Sequence, residues 1–215
     1  MEDINEKLWA AAKKGSEAEL KALLRDPECN ALAKDAIGMT TLMWAAKGGH
    51  EACVEILLPS SDALAKSKDG MTALMRATYH GDEACARLLL PVSDAAVKDE
   101  DEFTALMWAA YHGHDDCVRL LLPVSDAHNK DTYGMTSLMW ASGYGHEECV
   151  RLLLPASNVL AKDIDGWTAS AWARNSSFGM LAEFIDAYAL SQIEQAAIGG
   201  AACPRTPRKR TIPRV

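Results

Sequence analysis

Three histidine–cysteine pairs are the residues of this sequence whose spacing could support metal chemistry. The pairs are His50 with Cys53, His114 with Cys117, and His146 with Cys149. Because residues three apart share one face of a helix, each pair could supply two zinc ligands. A zinc site needs two further ligands, and Asp82 replaces the histidine beside Cys85. We expect framework histidines, bonded near the helix start, and no metal; metal binding through repeated His-x-x-Cys pairs stays an alternative.

Other catalytic arrangements do not emerge from the sequence. We find no nucleophile placed with a base and an orienting residue, and no glycine-rich loop suited to phosphate. The cysteines Cys53, Cys85, Cys117 and Cys149 recur every 32 residues, which indicates repetition rather than disulfide pairing. We expect buried thiols in a reducing, cytoplasmic compartment, with nuclear entry and export into another cell left open. We also expect no enzymatic activity and no cofactor.

The elements that must position these residues are copies of one unit. Three residue types recur in the same order at the same 32-residue step: Thr40, Thr72, Thr104, Thr136 and Thr168; Gly49, Gly81, Gly113 and Gly145; Pro59, Pro91, Pro123 and Pro155. A fixed period of this length predicts a solenoid, because a single unit cannot bury its apolar face and must stack on its neighbours.

The third copy shows the local logic of one unit. Thr104 is suited to cap the start of a first helix over Ala105 to Tyr111, and Gly113 is suited to end it. A second helix is predicted from His114 to Leu122, with Pro123 ending it. The residues expected to face inward are Leu106, Ala109, Ala110, Cys117, Leu120 and Leu121. The polar stretch that follows predicts a turn.

These units resemble ankyrin repeats. The stretches that carry the resemblance are TTLMWA (40–45), TALMRA (72–77), TALMWA (104–109) and TSLMWA (136–141), followed by Gly-His in three copies and a closing leucine run. The resemblance implies an all-α fold, an α-solenoid of stacked helix-turn-helix repeats with β-turn or hairpin loops. Methionine stands where the family has a histidine, at Met43, Met75, Met107 and Met139. We expect it to act as a flexible apolar filler.

The repeats divide the chain into four parts. We expect a capping repeat over 1–33, four full repeats over 34–161, a second capping repeat with an extended last helix over 162–200, and a disordered basic tail over 201–215. The tail holds five basic residues and no acid, so the first 200 residues carry a formal charge of −13. Such an acidic body repels a polyanion and argues against nucleic-acid binding. The tail is left open between a solvated segment, an import signal, a nucleic-acid contact and an intramolecular ligand.

The candidate site lies on the first helices and on the turns before them. Positions 108, 111 and 112 share a helix face that differs from the apolar face. The resemblance implies that this face and the turn tips form a concave groove. The predicted partner-binding residues are Trp44, Arg76, Tyr79, His80, Phe103, Trp108, Tyr111, His112, Tyr133, Trp140, Tyr144, Trp167 and Trp172. These residue types dominate binding hot spots. The recurrence of tryptophan also fits a framework role, whereas variation at its neighbours favours binding.

The sequence therefore predicts a non-catalytic protein–protein interaction module that binds a protein or peptide partner in the concave groove. We expect a monomer that does not enter a membrane, because no apolar run reaches the roughly 18 residues of a membrane span. Two further alternatives are a targeting or adaptor subunit of an enzyme assembly and an exported effector. The partner itself does not follow from the sequence, since one scaffold of this kind serves unrelated targets.

Overall fold

The computed structural model of the protein describes residues 3–200, so the expected disorder of 201–215 lies outside the described residues. Within them the chain forms twelve α-helices and no β-strand. The helices are α1 (Ile4–Lys14), α2 (Glu17–Leu23), α3 (Thr41–Lys47), α4 (Glu51–Leu57), α5 (Ala73–His80), α6 (Glu83–Leu89), α7 (Ala105–His112), α8 (Asp115–Leu121), α9 (Ser137–Gly143), α10 (Glu147–Leu153), α11 (Ala169–Asn175) and α12 (Gly179–Gly200). First helices pack on first helices of the next repeat, and second helices do the same. The predicted all-helical solenoid is confirmed.

Threonine starts each first helix after α1. The Thr104 hydroxyl accepts the amide of Met107 at 3.3 Å, as predicted, and the other four threonines of the series cap in the same way. In the first full repeat the bond is reciprocated, because the Met43 sulfur accepts the Thr40 amide at 3.5 Å. The second repeat does likewise. The buried methionine is therefore a filler that can also support the helix start.

Helices α1, α5 and α7 each end at a glycine. Against each of these glycines lies the ring of a Gly-His histidine from the next repeat. Gly113 has a φ of 74°, and a Cβ atom there would collide with the His146 ring. The same ring donates from Nε2 to the Tyr111 carbonyl at 3.0 Å, and His50 and His114 bond equivalently. The expected bond near the histidine's own helix start is wrong. The ring instead bonds to the end of the preceding repeat's first helix, and so links successive repeats.

The turns stack along one edge of the molecule. Successive turn tips are joined by one backbone hydrogen bond, such as that from the Glu100 amide to the Asp69 carbonyl at 3.2 Å. Beside the tips, lysines reach along the stack, and Lys66 donates to the Lys98 carbonyl at 2.7 Å. Lys34, Lys98 and Lys130 make the same contact with the lysine 32 residues ahead. These bonds hold the turns in register.

The second α-helices end beside the proline of their repeat. Helix α8 ends at Leu121, one residue before the predicted end at Leu122. Pro123 then lies in a short 3-10 turn, Leu122–Val124, and the other three prolines of the series lie in equivalent turns. Proline is tolerated at the first positions of a helical turn, because no amide donor is needed there.

One continuous core runs between the first and second helices, built from leucine, alanine, cysteine and methionine. Of the six inward residues predicted in the third copy, five are buried and Leu120 is only partly so. Cys53, Cys85, Cys117 and Cys149 are each at most 1% exposed. Burial is the main cause that raises the pKa of Cys117 and of Cys149 to about 12, with nearby carboxylates adding to it. The thiols therefore stay protonated.

The last unit ends the stack with a different surface. Helix α12 has 22 residues, whereas the earlier α8 and α10 have 7 each. Arg174 occupies the position at which Ala110 and Ser142 are fully buried, and it pairs with Asp186 at 2.6 Å. Within residues 3–200 no further repeat follows this unit, and an exposed charged pair at a position that is otherwise small and buried agrees with that. No helix in residues 3–200 is both long and apolar enough to cross a membrane.

Because these thiols are buried, we expect the folded chain to lose stability at alkaline pH. Folding raises the pKa of Cys117 and Cys149 from an ordinary 9.0 to about 12, so the folded chain binds more protons than the unfolded chain between those values. These two thiols therefore leave the free energy of unfolding unchanged below about pH 9, and their contribution to it is lost as the pH rises above that value. We expect the thermal unfolding midpoint to fall from about pH 9 to 11 more steeply in the wild type than in C117A/C149A. Parallel curves for the two proteins would contradict this account.

Candidate functional site

The candidate site is the surface formed by the turns and by one side of the first helices, here called the groove face. It consists of the turns 35–39, 67–71, 99–103, 131–135 and 163–167, and of positions 44, 47 and 48 with their equivalents at 32-residue steps. Because positions i, i+3 and i+4 share one side of a helix, these side chains project together beside the turns.

A tryptophan of the helix bonds to an aspartate of the turn nine residues before it. Trp108 Nε1 donates to Asp99 Oδ2 at 2.8 Å, and Asp99 Oδ1 accepts the amides of Asp101 and Phe103 at 3.0 and 2.9 Å. The same arrangement occurs at Trp44, Trp140 and Trp172, with indole–carboxylate distances of 2.9, 2.8 and 2.8 Å. One carboxylate fixes both the turn and the ring, so the tryptophans have a framework role.

The second repeat ties its turn to its helix with charged groups instead. Ser67 stands at the aspartate position and Arg76 at the tryptophan position. Arg76 Nη2 donates to Asp69 at 2.6 Å and to the Ser67 hydroxyl at 3.1 Å, and its side chain is only 14% exposed. Burial acts to raise the pKa of Asp69, but the hydrogen bonds from Ser67 and Arg76 and the Arg76 charge outweigh it and lower that pKa.

Aromatic rings of repeats two to four form one continuous cluster. The ring centroids of Tyr79 and Trp108 are 5.0 Å apart, and those of Tyr111 and Trp140 are 5.1 Å apart. Trp108 and Tyr111 join the two pairs at 5.9 Å. The hydroxyls of Tyr111 and Tyr144 lie 2.9 Å apart and extend the cluster into the fourth repeat. Tilted and edge-on rings at these distances attract one another beyond the area they bury.

The two ends of the groove face lie outside this cluster. At one end the Nζ atoms of Lys13 and Lys47 lie 3.8 and 5.1 Å from the centroid of the Trp44 ring, within cation–π range. At the other end Trp167 and Trp172 form a separate pair with centroids 5.1 Å apart. The predicted residues therefore include a central cluster and two separate ends rather than one continuous row.

Exposure also divides the predicted partner-binding residues. Tyr133, Tyr144 and Trp167 are 56%, 48% and 37% exposed, and His80 is exposed as well. Phe103 is only 5% exposed, because it fills the space between two tryptophan rings. The half-buried residues are Trp44, Arg76, Tyr79, Trp108, Tyr111, His112, Trp140 and Trp172. The most accessible aromatic surface of the repeats is thus tyrosine rather than tryptophan.

Two histidines of the face are kept neutral. Burial lowers the pKa of His80, and the charges of Lys47 and Arg76 lower it further. Burial likewise lowers the pKa of His112, with the neighbouring histidines adding to the effect. The Nε2 atom of His112 is buried and has no hydrogen-bond partner within the described residues. Both rings therefore contribute uncharged aromatic surface at neutral pH.

Charge changes along the groove face. A depression of 360 Å³ lies between repeats two and three, where Arg76 and Asp69 face Asp101, Tyr79 and Trp108. The first two repeats bring lysine and arginine to the face, whereas its residues from 99 onward include acids and no lysine or arginine. The face is therefore acidic from residue 99 onward.

The metal alternative does not agree with the geometry. In residues 3–200 no three histidine, cysteine, aspartate or glutamate side chains come together as a metal site. The Nε2 atoms of the Gly-His histidines already donate to backbone carbonyls, and the cysteine of each pair is buried. These residues hold the stack together.

The indole–carboxylate pairing is the feature that sequence reasoning missed. Its signal is present, because Asp35, Asp99, Asp131 and Asp163 each precede a tryptophan by nine residues. In the second repeat both positions change together, to serine and arginine. A joint change at two fixed positions of a repeat indicates that the two side chains touch.

Comparison with protein families gives a match over most of the chain. The family model described as Ankyrin repeats matches three overlapping segments, at residues 8–101, 91–163 and 106–186. A comparison with curated proteins finds no match.

A double-mutant cycle tests the framework role of the indole–carboxylate pair. The variant D99S/W108R gives the third repeat the serine and arginine of the second, and Asp101 already stands at the Asp69 position. Since each single change leaves a partner unsatisfied, we expect each to lower the free energy of unfolding by about 1–3 kcal/mol. We expect the double variant to be more stable than their sum by about 1 kcal/mol or more. The free energy of unfolding of the wild type, D99S, W108R and the double variant is measured by urea unfolding.

The Asp101 carboxylate supplies the control for this cycle. Adding D101N throughout the cycle should reduce the coupling, because the arginine then lacks its ion-pair partner, and the coupling that remains is expected from the indole–carboxylate bond that each single change breaks. Additive single effects would show that the pair does not act as described.

Proposed function

The chain belongs to the ankyrin repeat family, and we propose that it acts as a non-catalytic interaction module whose groove face binds a protein or peptide partner. Ankyrin repeats are generally protein–protein interaction modules. The observation that carries the proposal is the aromatic cluster of repeats two to four, which is continuous and ends in the exposed Tyr144.

The floor of this surface is held rigid before any partner arrives. Trp108 and Trp140 are each fixed by a 2.8 Å hydrogen bond to a carboxylate that also holds a turn. Tyr79 and Tyr111 are packed against these rings. A partner that settles on such a surface orders few further side chains, so less of its contact energy is lost to entropy.

The contacts themselves fall to the side chains that the framework leaves accessible. Tyr133 and Tyr144 are about half exposed, and each presents an apolar ring with a hydroxyl at its edge. Tyrosine suits this task because it buries a large area at the cost of only two side-chain torsions. The half-buried tryptophans then form the floor against which a partner packs.

The charge of the face favours a protein over a nucleic acid. From residue 99 onward the face carries acids at the turn tips and no lysine or arginine, so that part of it would repel a phosphate backbone. The face is open in a single copy of the chain, and we propose that a monomer binds the partner.

Affinity purification from cells tests the proposal. The variant Y133S/Y144S removes the two most exposed tyrosines of the face, and we expect it to recover at least one specific protein about tenfold less than the wild type does. Quantitative mass spectrometry of the bound proteins is the measurement. Thermal unfolding of the variant checks that the fold is kept.

The chain offers a matched control on another surface. Val92 and Val124 are 50% and 56% exposed and lie in the 3-10 turns that follow the second helices. The variant V92S/V124S should recover the same proteins as the wild type. If Y133S/Y144S also recovers all of them in equal amounts, the groove face is not the binding surface.

A further inference from the structure

Most first helices bring one side chain over the groove-face ring of the next repeat. The covering group and the covered ring are Lys13 Nζ and Trp44 at 3.8 Å, Tyr79 and Trp108 at 5.0 Å, and Tyr111 and Trp140 at 5.1 Å. In the remaining full repeat the covered position holds Arg76, which has no ring. Cations and planar rings are thus the groups that this chain itself places over its tryptophans.

The last first helix before α11, α9, brings no side chain over the ring of the next repeat. The covering position is Gly143, at the end of α9, and the ring ahead of it is Trp172. A Cβ atom on Gly143 would lie 3.8 and 3.9 Å from the Cβ and Cε3 atoms of Trp172, so a side chain from this residue would start directly beside the indole. We name the region beside this ring, bounded by Gly143, Trp172 and Asp163, the Gly143 slot; Trp167 packs against the same ring with centroids 5.1 Å apart.

Nothing in the backbone requires a glycine at this position. Gly143 lies within α9 and is not one of the glycines with positive φ. The added Cβ contacts would be of ordinary van der Waals length. Glycine in a helix is less stable than alanine by about 1 kcal/mol, yet two other repeats place tyrosine at this position. The fold would accept a larger residue, so neither packing nor backbone conformation accounts for the glycine.

The same residue also has a backbone acceptor that is used in other repeats. The carbonyls of Lys13, Tyr79 and Tyr111 each accept a hydrogen bond from the Gly-His histidine of the next repeat, at 3.0–3.1 Å. In the last unit Phe178 holds the histidine position and has no donor. The Gly143 carbonyl therefore receives no such bond, and the Phe178 ring lies against Gly145 as the His146 ring lies against Gly113. It lies at the C-terminal end of α9, where a helix favours positive charge.

The charge around the slot is negative. Asp163 accepts the Trp172 indole proton at 2.8 Å, and Asp165 is exposed on the same turn. The basic residues between 131 and 173 are Arg151 and Lys162. Arg151 lies over the ring of Phe184 on the second helices, and Lys162 precedes the turn in the lysine row. Neither belongs to the groove face. Just outside that range, Lys130 Nζ is bonded to the Lys162 carbonyl at 2.6 Å and Arg174 is paired with Asp186 at 2.6 Å, so both cations already have partners.

We propose that the Gly143 slot binds an arginine side chain of the partner. The guanidinium stacks on the Trp172 ring, donates to the Gly143 carbonyl and balances the charge of Asp163. Arginine suits the slot better than lysine because its planar group stacks on an indole while its edge donates several hydrogen bonds. This assignment rests on the proposed function, since it names one residue of the partner that the groove face binds.

A titration that observes single tryptophans tests the slot. The full chain has six tryptophans, whose indole N–H signals are resolved by ¹⁵N labelling, with W172F identifying the signal of Trp172. We expect N-acetylarginine N-methylamide to shift the Trp172 signal more than the other five. The citrulline analogue, which has the same shape without the charge, should bind about tenfold more weakly.

Two substitutions at one residue provide the matched comparison. G143Y fills the slot as tyrosine does in repeats two and three, and it should weaken arginine binding at Trp172 by about tenfold or more. G143A adds only a methyl group and should leave the dissociation constant within about twofold. If G143Y binds arginine like the wild type, if G143A loses binding to the same extent as G143Y, or if citrulline binds equally well, the proposal is wrong.

The basic tail of the chain is a competing occupant that the same titration detects. Replacing Arg205, Arg208, Lys209, Arg210 and Arg214 by glutamine should leave arginine binding unchanged. Tighter binding after this change would assign the slot to the tail and overturn its assignment to a partner. The proposed function fails separately, through equal recovery by Y133S/Y144S. A partner that Y133S/Y144S loses but G143Y retains would keep that function and reject the slot.

Discussion

The hydrogen bond between a tryptophan indole and a turn carboxylate is the interaction on which the groove face depends. A turn of five residues has few ways to satisfy its own amides, and a single aspartate such as Asp99 accepts two of them. Its second oxygen accepts the indole of Trp108. The turn and the first helix therefore move as one body, and the ring is presented at a fixed angle. Stacking then repeats this unit, with histidine and lysine bonds joining each copy to the next.

This constraint separates two kinds of residue on the same face. Positions that recur, such as Trp108 and Asp99, belong to the framework, because losing either partner leaves a polar group without a bond. Positions that differ between copies, such as 47, 79, 111 and 143, are free of that constraint and can follow a partner's chemistry. The second repeat shows that the framework itself can change when both members change together, since Arg76 and Ser67 keep the turn tied through Asp69.

Periodicity made the fold predictable and left the site less so. Thr104 and Gly113 act locally, through a cap and a positive φ, and a single repeat reveals them. The bond from Trp108 joins residues only nine positions apart, but it depends on a turn geometry that composition does not encode. The His146 bond crosses from one repeat to the next, so a reading of one helix at a time placed it wrongly. The burial of Phe103 follows from rings in two neighbouring repeats, and its position on the turn tip concealed this.

Charge gives the groove face a direction. Lys13, Lys47 and Arg76 lie toward its first repeats, whereas the groove-face residues from 99 onward include acids such as Asp165 and no lysine or arginine. Consider an extended partner with one basic end and one acidic end. It would be attracted when its basic end met the later repeats, and in the reverse direction it would be repelled at both ends. The aromatic rings can bury the surface of a bound segment in either orientation, because stacking depends little on chain direction. The acidic turns are therefore what can distinguish the two directions of a bound segment, and the aromatic floor is what can hold it.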